Sequence, residues 1–439
     1  MSFAVRSGSR VKASVARQAR LYATSPSSFS VADVNGVKLA TKDEALSTPT
    51  GAISVIVKAG SRFEPQPGVA HCLKNALFKG TNKRSALRLV RETEALGGVL
   101  SASLSREHLI LTAEFIKGDE PYFAEVLGDA LTQAKLAPHE FNEDVVPAVI
   151  GEYEQAIHNA RTYAFDLAHG LAFRQGLGNS LYASPHTAIQ HSDLISYANN
   201  ALSPSNLTVL ASGVDNGSLK SFVSEYFSGA GAAAGSVSSA ASTYYGGEVR
   251  VPAIGHSASD LFLLAFKGDS KAEADLVVLK FLLGGESSIK WSAGSSLLSK
   301  VASGSTTAKA FNLSYSDTGL FGIVVEGRSN EITGVASAAV AELKKVASGA
   351  DGEAVKRAVA QAKFAAASAL EARVPSLESV GAQIANNGSV TSLEDVFAKL
   401  DKVTAESVSK VAAEALKSKP TTVAVGNPRE LPYADTVGL

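Results

Sequence analysis

The chain contains very few residues of the kinds that form disulfides or bind redox centres. Its 439 residues include a single cysteine, Cys72, and a single methionine. One cysteine cannot form an internal disulfide, which excludes the disulfide scaffolds of small secreted domains and the Cys-rich zinc ribbons. The sequence also has no C-x-x-C-H for haem attachment and no cysteine cluster for an iron–sulfur centre. We therefore expect the chain to have no cofactor of its own.

Long apolar runs are also missing. The longest candidates, residues 260–266 (DLFLLAF) and 275–285 (DLVVLKFLLGG), are short and contain charged residues. A membrane-spanning helix needs about 20 predominantly apolar residues. The sequence therefore predicts no transmembrane segment, while attachment to a membrane through a partner stays open.

The first 22 residues are basic. They include five Arg or Lys residues and several serines, and the first acidic residue of the chain is Asp33. This composition predicts a mitochondrial transit peptide over residues 1–22, cleaved between Tyr22 and Ala23. The alternative is a disordered basic arm that binds nucleic acid or anionic lipid. Removing the five basic residues leaves 36 Lys and Arg against 42 Asp and Glu, so the formal net charge changes from −1 to −6, which argues against a nucleic-acid partner.

The two halves of the chain show the same order of predicted elements. A period of about 200 residues indicates a duplicated domain, because solenoid repeats are only about 20–50 residues long. Three pairs of segments match in the same order: 54–64 with 261–273, 102–115 with 311–327, and 193–213 with 407–426.

A segment of small residues separates the two halves. Residues 228–243 (SGAGAAAGSVSSAAST) have no periodic apolar face, which is typical of a flexible linker. The sequence therefore predicts one domain over residues 29–225, a linker over 226–246 and a second domain over 247–439.

Short apolar runs and Ala-rich helical patterns predict the fold class. Residues 108–116 (HLILTAEFI) and 321–327 (FGIVVEG) are typical of strands, whereas 334–348 (GVASAAVAELKKVAS) is typical of a helix. The elements lack the regular alternation of a doubly wound fold. We predict an α+β fold with two homologous domains, each a largely antiparallel sheet with helices packed on one face.

Residues 71–75 have part of the pattern of a helical metal site. In an H-x-x-E-H motif, two histidines four residues apart bind one zinc ion from one face of a helix, and the glutamate acts as general base. A distal glutamate commonly completes the ligand set. This chain has His71, but Lys74 stands at the glutamate position and Asn75 at the second histidine position. Taken alone, such a histidine is more often an ordinary, partly buried residue than a ligand.

The residues around this motif resemble a known peptidase family. The pattern G-x-A-H-x-L-x-x-x-x-F-K-G-T over residues 68–81 is similar to that of the pitrilysin-type peptidases, which include the mitochondrial processing peptidase. The two similar halves and the linker also resemble that family. Its distal glutamate follows the second motif histidine by 77 residues, and the same count from Asn75 leads to Glu152.

The resemblance implies a former zinc site that no longer binds metal or activates water. An amide is a poor zinc ligand compared with imidazole, and a lysine ammonium repels a dication and is not a base at neutral pH. We therefore predict no catalytic residue and no bound metal, with His71, Lys74, Asn75 and Glu152 as vestigial positions. A weak residual metal site at His71 and Glu152 is the alternative. The remaining candidate nucleophile, Cys72, has no activating partner visible in the sequence.

Two kinds of non-catalytic mitochondrial member are compatible with this pattern. One is the substrate-binding, alpha-type subunit of the processing peptidase, which has a mobile glycine-rich loop, and the other is a structural subunit of a respiratory complex on the matrix side of the inner membrane. Residues 282–301 (LLGGESSIKWSAGSSLLSKV) have three glycines interrupted by charged and aromatic residues, which favours the structural subunit. The resemblance then implies pairing with a homologous subunit and contacts with membrane subunits. A soluble homodimer is the alternative.

Overall fold

A computed structural model describes residues 29–42, 48–228, 237–255, 259–284, 294, 296–302 and 305–439. The predicted transit peptide, with its cleavage site at Tyr22 and Ala23, lies outside these residues. The middle of the predicted linker and half of the segment 282–301 also lie outside them. No helix in the described ranges is long and apolar enough to cross a membrane.

The first half contains a six-stranded sheet in the spatial order β1-β2-β6-β3-β5-β4. All neighbouring strands are antiparallel except β2 and β6, which run parallel. The inner strands are rich in β-branched and other apolar residues without a polar alternation, as expected for strands covered on both faces. The strands are β1 (Phe29–Val34), β2 (Val37–Lys42), β3 (Thr50–Val57), β4 (Val99–Leu104), β5 (Leu109–Ile116) and β6 (Leu207–Ser212).

The helices of the first half lie between and after its strands in the sequence. The helix after β3 and the long helix that begins at Val146 border the candidate site. A short turn at Pro138–Glu140 and a wide turn at Phe141–Val145 precede that long helix. The helices are α1 (Val69–Ala76), α2 (Ala86–Ala95), α3 (Glu120–Thr132), α4 (Val146–His158), α5 (Ala160–Phe173), α6 (His191–Ala201) and α7 (Asn216–Tyr226).

The second half contains a five-stranded sheet in the order β7-β11-β8-β10-β9, with a single parallel pair, β7 and β11. Its strands are β7 (Gly247–Val251), β8 (Asp260–Gly268), β9 (Thr307–Ser314), β10 (Gly319–Gly327) and β11 (Thr421–Val425). Its helices are α8 (Glu273–Leu283), α9 (Leu297–Val301), α10 (Ser329–Ser348), α11 (Gly352–Ala369), α12 (Arg373–Asn387), α13 (Leu393–Asp401) and α14 (Ala405–Lys417).

The two sheets have equivalent topologies. The order β2-β6-β3-β5-β4 in the first half corresponds strand by strand to β7-β11-β8-β10-β9 in the second, including the position of the parallel pair. The three matched pairs of sequence segments fall on equivalent elements. The predicted α+β class with two related, largely antiparallel sheets is therefore confirmed.

Each half covers its own sheet on one face and receives a helix from the other half on the opposite face. Helix α12 of the second half packs Leu377, Val380 and Ile384 against the first sheet. An added Cβ at Gly381 of α12 would lie 2.4 Å from Ile56 Cδ1, so a larger residue there would require the Ile56 and Leu210 side chains to shift. The predicted arrangement with helices on one face is therefore incomplete, because strands that are apolar on both sides require cover on both sides.

Helix α5 of the first half makes the reciprocal contact. Its Ala164, Ala168, Ala172 and Phe173 are buried against the second sheet together with residues of β8, β10 and β11. Small alanine side chains let the helix lie close to the strands. The exchange of α5 and α12 joins the two halves through two apolar interfaces, in addition to the linker.

Candidate functional site

Helix α1 contains three of the four predicted vestigial positions, and α4 contains the fourth, Glu152. The first turn of α1 begins after Gly68, which has φ +93° and would place an added Cβ 2.5 Å from the Cβ of Ala183. Both facts require glycine at this position. The helix buries Val69 and Leu73 in the hydrophobic core of the first half, which fixes the position of its polar side chains.

His71 has one defined tautomer. Only 2% of the residue is exposed. Its Nδ1 accepts a hydrogen bond from the Ala183 N–H group at 3.1 Å, so this nitrogen bears no proton. The ring proton therefore lies on Nε2, which donates to Glu152 Oε2 at 2.5 Å. The structure thus brings together two residues that are 81 positions apart in the sequence.

Lys74 supplies a positive charge at the same carboxylate. Its Nζ donates to Glu152 Oε2 at 2.5 Å, and the side chain is only 15% exposed. The hydrogen bond from His71 is the main cause that lowers the pKa of Glu152 to about 2, and Lys74 lowers it further, although partial burial opposes both. Glu152 is therefore a carboxylate that is already neutralised by a side-chain cation.

Asn75 does not join this group. Its Nδ2 donates to the His71 carbonyl oxygen at 3.2 Å, which folds the amide back along the helix. Of the four predicted vestigial positions, the structure thus places three in contact with one another and leaves the fourth apart.

A zinc ion does not fit these residues. A histidine that binds metal through Nε2 needs its proton on Nδ1, whereas His71 Nδ1 faces a hydrogen-bond donor. The Lys74 ammonium lies beside the one available carboxylate. In the described part of the chain, no group of three or more His, Cys, Asp or Glu side chains could hold a metal ion.

The loop that provides Ala183 is fixed by a buried arginine. Arg106 donates to the carbonyl oxygen of Leu177 at 3.0 Å and to that of Asn179. It also pairs with Asp166 on α5 at 2.9 Å. The position of the Ala183 N–H group, and with it the His71 tautomer, therefore depends on the contacts of Arg106 with this loop and with α5.

A cavity of about 440 Å³ opens above the three contacting residues. His71, Lys74 and Glu152 line it together with Ser103 on the edge strand β4 and Tyr182. The Tyr182 ring contacts the His71 ring edge-on, at 5.6 Å between centroids. The cavity has walls of mixed polarity, and its Glu152 carboxylate is engaged by His71 and Lys74, so none of its described lining residues is a general base that is free to activate water.

A second carboxyl group lies in this region and was not predicted from the sequence. Glu64 follows β3 and is 8% exposed, and its Oε2 accepts from the Ala70 N–H group at the start of α1 at 3.2 Å. Burial raises its pKa to about 8. Burial also raises the pKa of the neighbouring Cys72 to about 12, with Glu64 as the second cause, which fits the prediction that this thiol is not a nucleophile.

Glu64 is expected to make the stability of the protein depend on pH. The folded chain keeps the carboxyl proton up to about pH 8, whereas the unfolded chain loses it near pH 4.5. The stabilising contribution is therefore complete below pH 4.5 and is lost as the pH rises to 8, by at most about 1.4 kcal/mol per pH unit. In urea unfolding across this range, the free energy of unfolding of Glu64→Gln should depend less steeply on pH than that of the natural chain. The matched variant Glu394→Gln, at an exposed position on α13, should keep the natural slope.

The duplicated fold and the altered motif define the class of this protein as a two-domain homologue of inverted-motif zinc peptidases. Residues 40–184 match the family described as Insulinase (Peptidase family M16), and residues 188–362 match the Peptidase M16 inactive domain. The chain belongs to peptidase family M16, as the sequence resemblance predicted.

Several relatives of known function match nearly the whole chain. Cytochrome b-c1 complex subunit 2 of Cryptococcus neoformans var. grubii is 43% identical, over 96% of this chain and 96% of that protein. The same subunit of Neurospora crassa is 39% identical, over 95% and 93% of the two chains. The mitochondrial-processing peptidase subunit alpha of Solanum tuberosum is 30% identical, over 92% of this chain and 82% of that protein.

Proposed function

We propose that this chain is the second core subunit of the mitochondrial cytochrome b-c1 complex and serves its assembly and stability without catalysing a reaction. The observation that supports this most directly is the ion pair between Lys74 and Glu152, which places a fixed cation where a peptidase of this family would need a metal ion. The near-complete match to cytochrome b-c1 complex subunit 2 of two fungi points to the same role.

The proposal includes partners and a location. The chain would pair with a homologous core protein 1 and contact membrane subunits of the complex, among them cytochrome b, the cytochrome c-type subunit and small subunits. It would lie peripherally on the matrix side of the mitochondrial inner membrane and reach the matrix by means of residues 1–22. Neither nucleic acid nor a cofactor of its own has a part in this role.

The second candidate is the non-catalytic, substrate-binding subunit alpha of the processing peptidase. The similarity to that subunit in Solanum tuberosum favours it. Two observations favour the core subunit instead. The identity to cytochrome b-c1 complex subunit 2 is higher, and Glu286, Lys290 and Trp291 interrupt the segment where a mobile glycine-rich loop would be needed.

Native electrophoresis of solubilised mitochondrial membranes tests the proposal. The chain is expected to migrate with cytochrome b in one large complex, and its depletion is expected to reduce the amount of that complex. Purification of the chain as a small soluble heterodimer that cleaves presequences, with activity that requires this chain, would instead support the processing peptidase.

A further inference from the structure

A second cavity lies in the second half of the chain, away from His71 and Glu152. Its volume is about 260 Å³, and it is formed between α8, α9, α10 and α11. This size lies just below the range of about 300–1,000 Å³ that is usual for drug-sized ligands. Its occupant would therefore be a small molecule.

Part of the lining of this cavity is apolar, and polar and charged side chains provide the rest. Leu282 of α8 and Val346 of α10 are buried side chains whose surfaces contribute to it. Phe281, Leu297 and Ala354 also line it, and all three pack against the second core. Water that lies against these apolar side chains has few hydrogen-bond partners there, so an apolar group would displace it at little cost.

Cations predominate among the free charges at its rim. Lys300, Lys345 and Arg357 are basic, and Glu342 and Asp351 are acidic. Both acids are already engaged, because Glu342 pairs with Lys345 and Asp351 accepts from the Ala354 N–H group at 3.2 Å as the N-cap of α11. Within the described residues, neither Lys300 nor Arg357 has an ion-pair partner. The five charged side chains sum to a formal charge of +1, and the two cations without an ion-pair partner lie beside the apolar part of the lining.

We propose that this cavity binds an amphiphilic carboxylate whose short apolar chain packs between α8 and α10 and whose head group meets Lys300 and Arg357. Arginine and carboxylate form charge-assisted hydrogen bonds, which makes a carboxylate a suitable head group. The apolar wall distinguishes such a ligand from a simple inorganic anion. The site is independent of the altered zinc motif and of the proposed role in the cytochrome b-c1 complex.

Calorimetric titration of the purified full chain with sodium octanoate tests the proposal. Saturable binding at one site is expected, with affinity at least tenfold higher than for acetate or for octanol at the same ionic strength. Equal affinity for octanol would show that the cations do not contribute, and equal affinity for acetate would show an adventitious ion only. Either result, or binding without saturation, overturns the proposal.

Substitutions test whether octanoate binds in this cavity. Lys300→Gln combined with Arg357→Gln should weaken octanoate binding by about tenfold, because the two substitutions remove both cations that the head group would meet. Ala354→Leu keeps both cations, fills part of the apolar wall and should also weaken binding. The matched pair Lys399→Gln and Lys402→Gln, exposed and outside the cavity, should bind as the natural chain does. Unchanged binding in the first two variants, with unfolding midpoints like that of the natural chain, would locate the ligand elsewhere and overturn the proposal.

Discussion

A chain with Lys74→Glu and Asn75→His is expected to bind a stoichiometric zinc ion, whereas the natural chain is expected to bind none. The two substitutions place histidines at i and i+4 of α1 beside Glu152, which is the three-ligand set typical of catalytic zinc. They also remove the ammonium that lies 2.5 Å from the Glu152 carboxylate. Elemental analysis after exposure to zinc and dialysis against metal-free buffer measures the bound ion.

The tautomer of His71 is expected to lower the zinc affinity of this double variant. Coordination through Nε2 moves the ring proton to Nδ1. That nitrogen can then no longer accept the hydrogen bond from the Ala183 N–H group. A buried N–H group left without an acceptor costs about 1–3 kcal/mol, whereas zinc binding at a structural site contributes about 10–16 kcal/mol. Zinc should therefore bind, with an affinity roughly ten- to a hundredfold below that of a site without this conflict.

Two further variants separate the causes. Asn75→His alone completes the ligand set but keeps the Lys74 ammonium, so it should retain much less zinc than the double variant. Adding Cys72→Ala to the double variant tests whether the thiol, rather than the new histidine, holds the metal. Stoichiometric zinc in the natural chain that is lost in His71→Ala would contradict the assignment of a vestigial site, and so would a double variant without zinc.

Much of the fold could be predicted because the same order of elements occurs in both halves of the sequence. Apolar runs occupy equivalent places in the two halves, at β3 and β8 and at β5 and β10, which makes a chance similarity improbable. The contact of His71 with Glu152 was suggested by the family spacing, not by periodicity. Secondary-structure patterns alone give no reason for residues 81 positions apart to meet.

Other features depend on contacts that a linear pattern does not specify. Helices α5 and α12 show apolar faces in the sequence, but nothing in that pattern indicates that each packs on the sheet of the other half. Glu64 follows a strand, where a carboxylate is usually solvated, and its burial in the folded chain raises its pKa although the N–H groups at the start of α1 lower it. The proton position on His71 is likewise set by a loop held through Arg106.

Arg62 is the residue at which substitution should most reduce the free energy of unfolding. It lies in the turn after β3 and is 5% exposed at its side chain. Its guanidinium pairs with Glu107 of the β4–β5 turn at 2.8 Å and, in a bidentate arrangement, with Asp317 of the β9–β10 turn at 2.6 and 2.9 Å. These two hairpin turns are equivalent in the two halves, so a single side chain joins them across the junction.

Replacing Arg62 with methionine is expected to lower the free energy of unfolding by about 3–5 kcal/mol, because it leaves buried carboxylates without a counter-charge. Glu107 bears most of this penalty, since its side chain is 7% exposed against 29% for Asp317. Urea unfolding measures the change. The double variant Arg62→Met with Glu107→Gln should recover part of the loss, because it removes the more deeply buried unpaired charge.

Arg161→Met provides the matched control, since Arg161 also joins the two halves through a carboxylate. It pairs with Glu326 of β10 at 3.2 Å, but its side chain is 44% exposed. An ion pair in solvent contributes about 0–1 kcal/mol, so this variant should unfold almost as the natural chain does. Equal effects of the two substitutions, or no recovery in the Arg62→Met and Glu107→Gln double variant, would show that the cost comes from lost packing. A specific loss at Arg62 would instead identify the meeting of the two equivalent turns as the polar centre that fixes the halves in register, alongside the apolar exchange of α5 and α12.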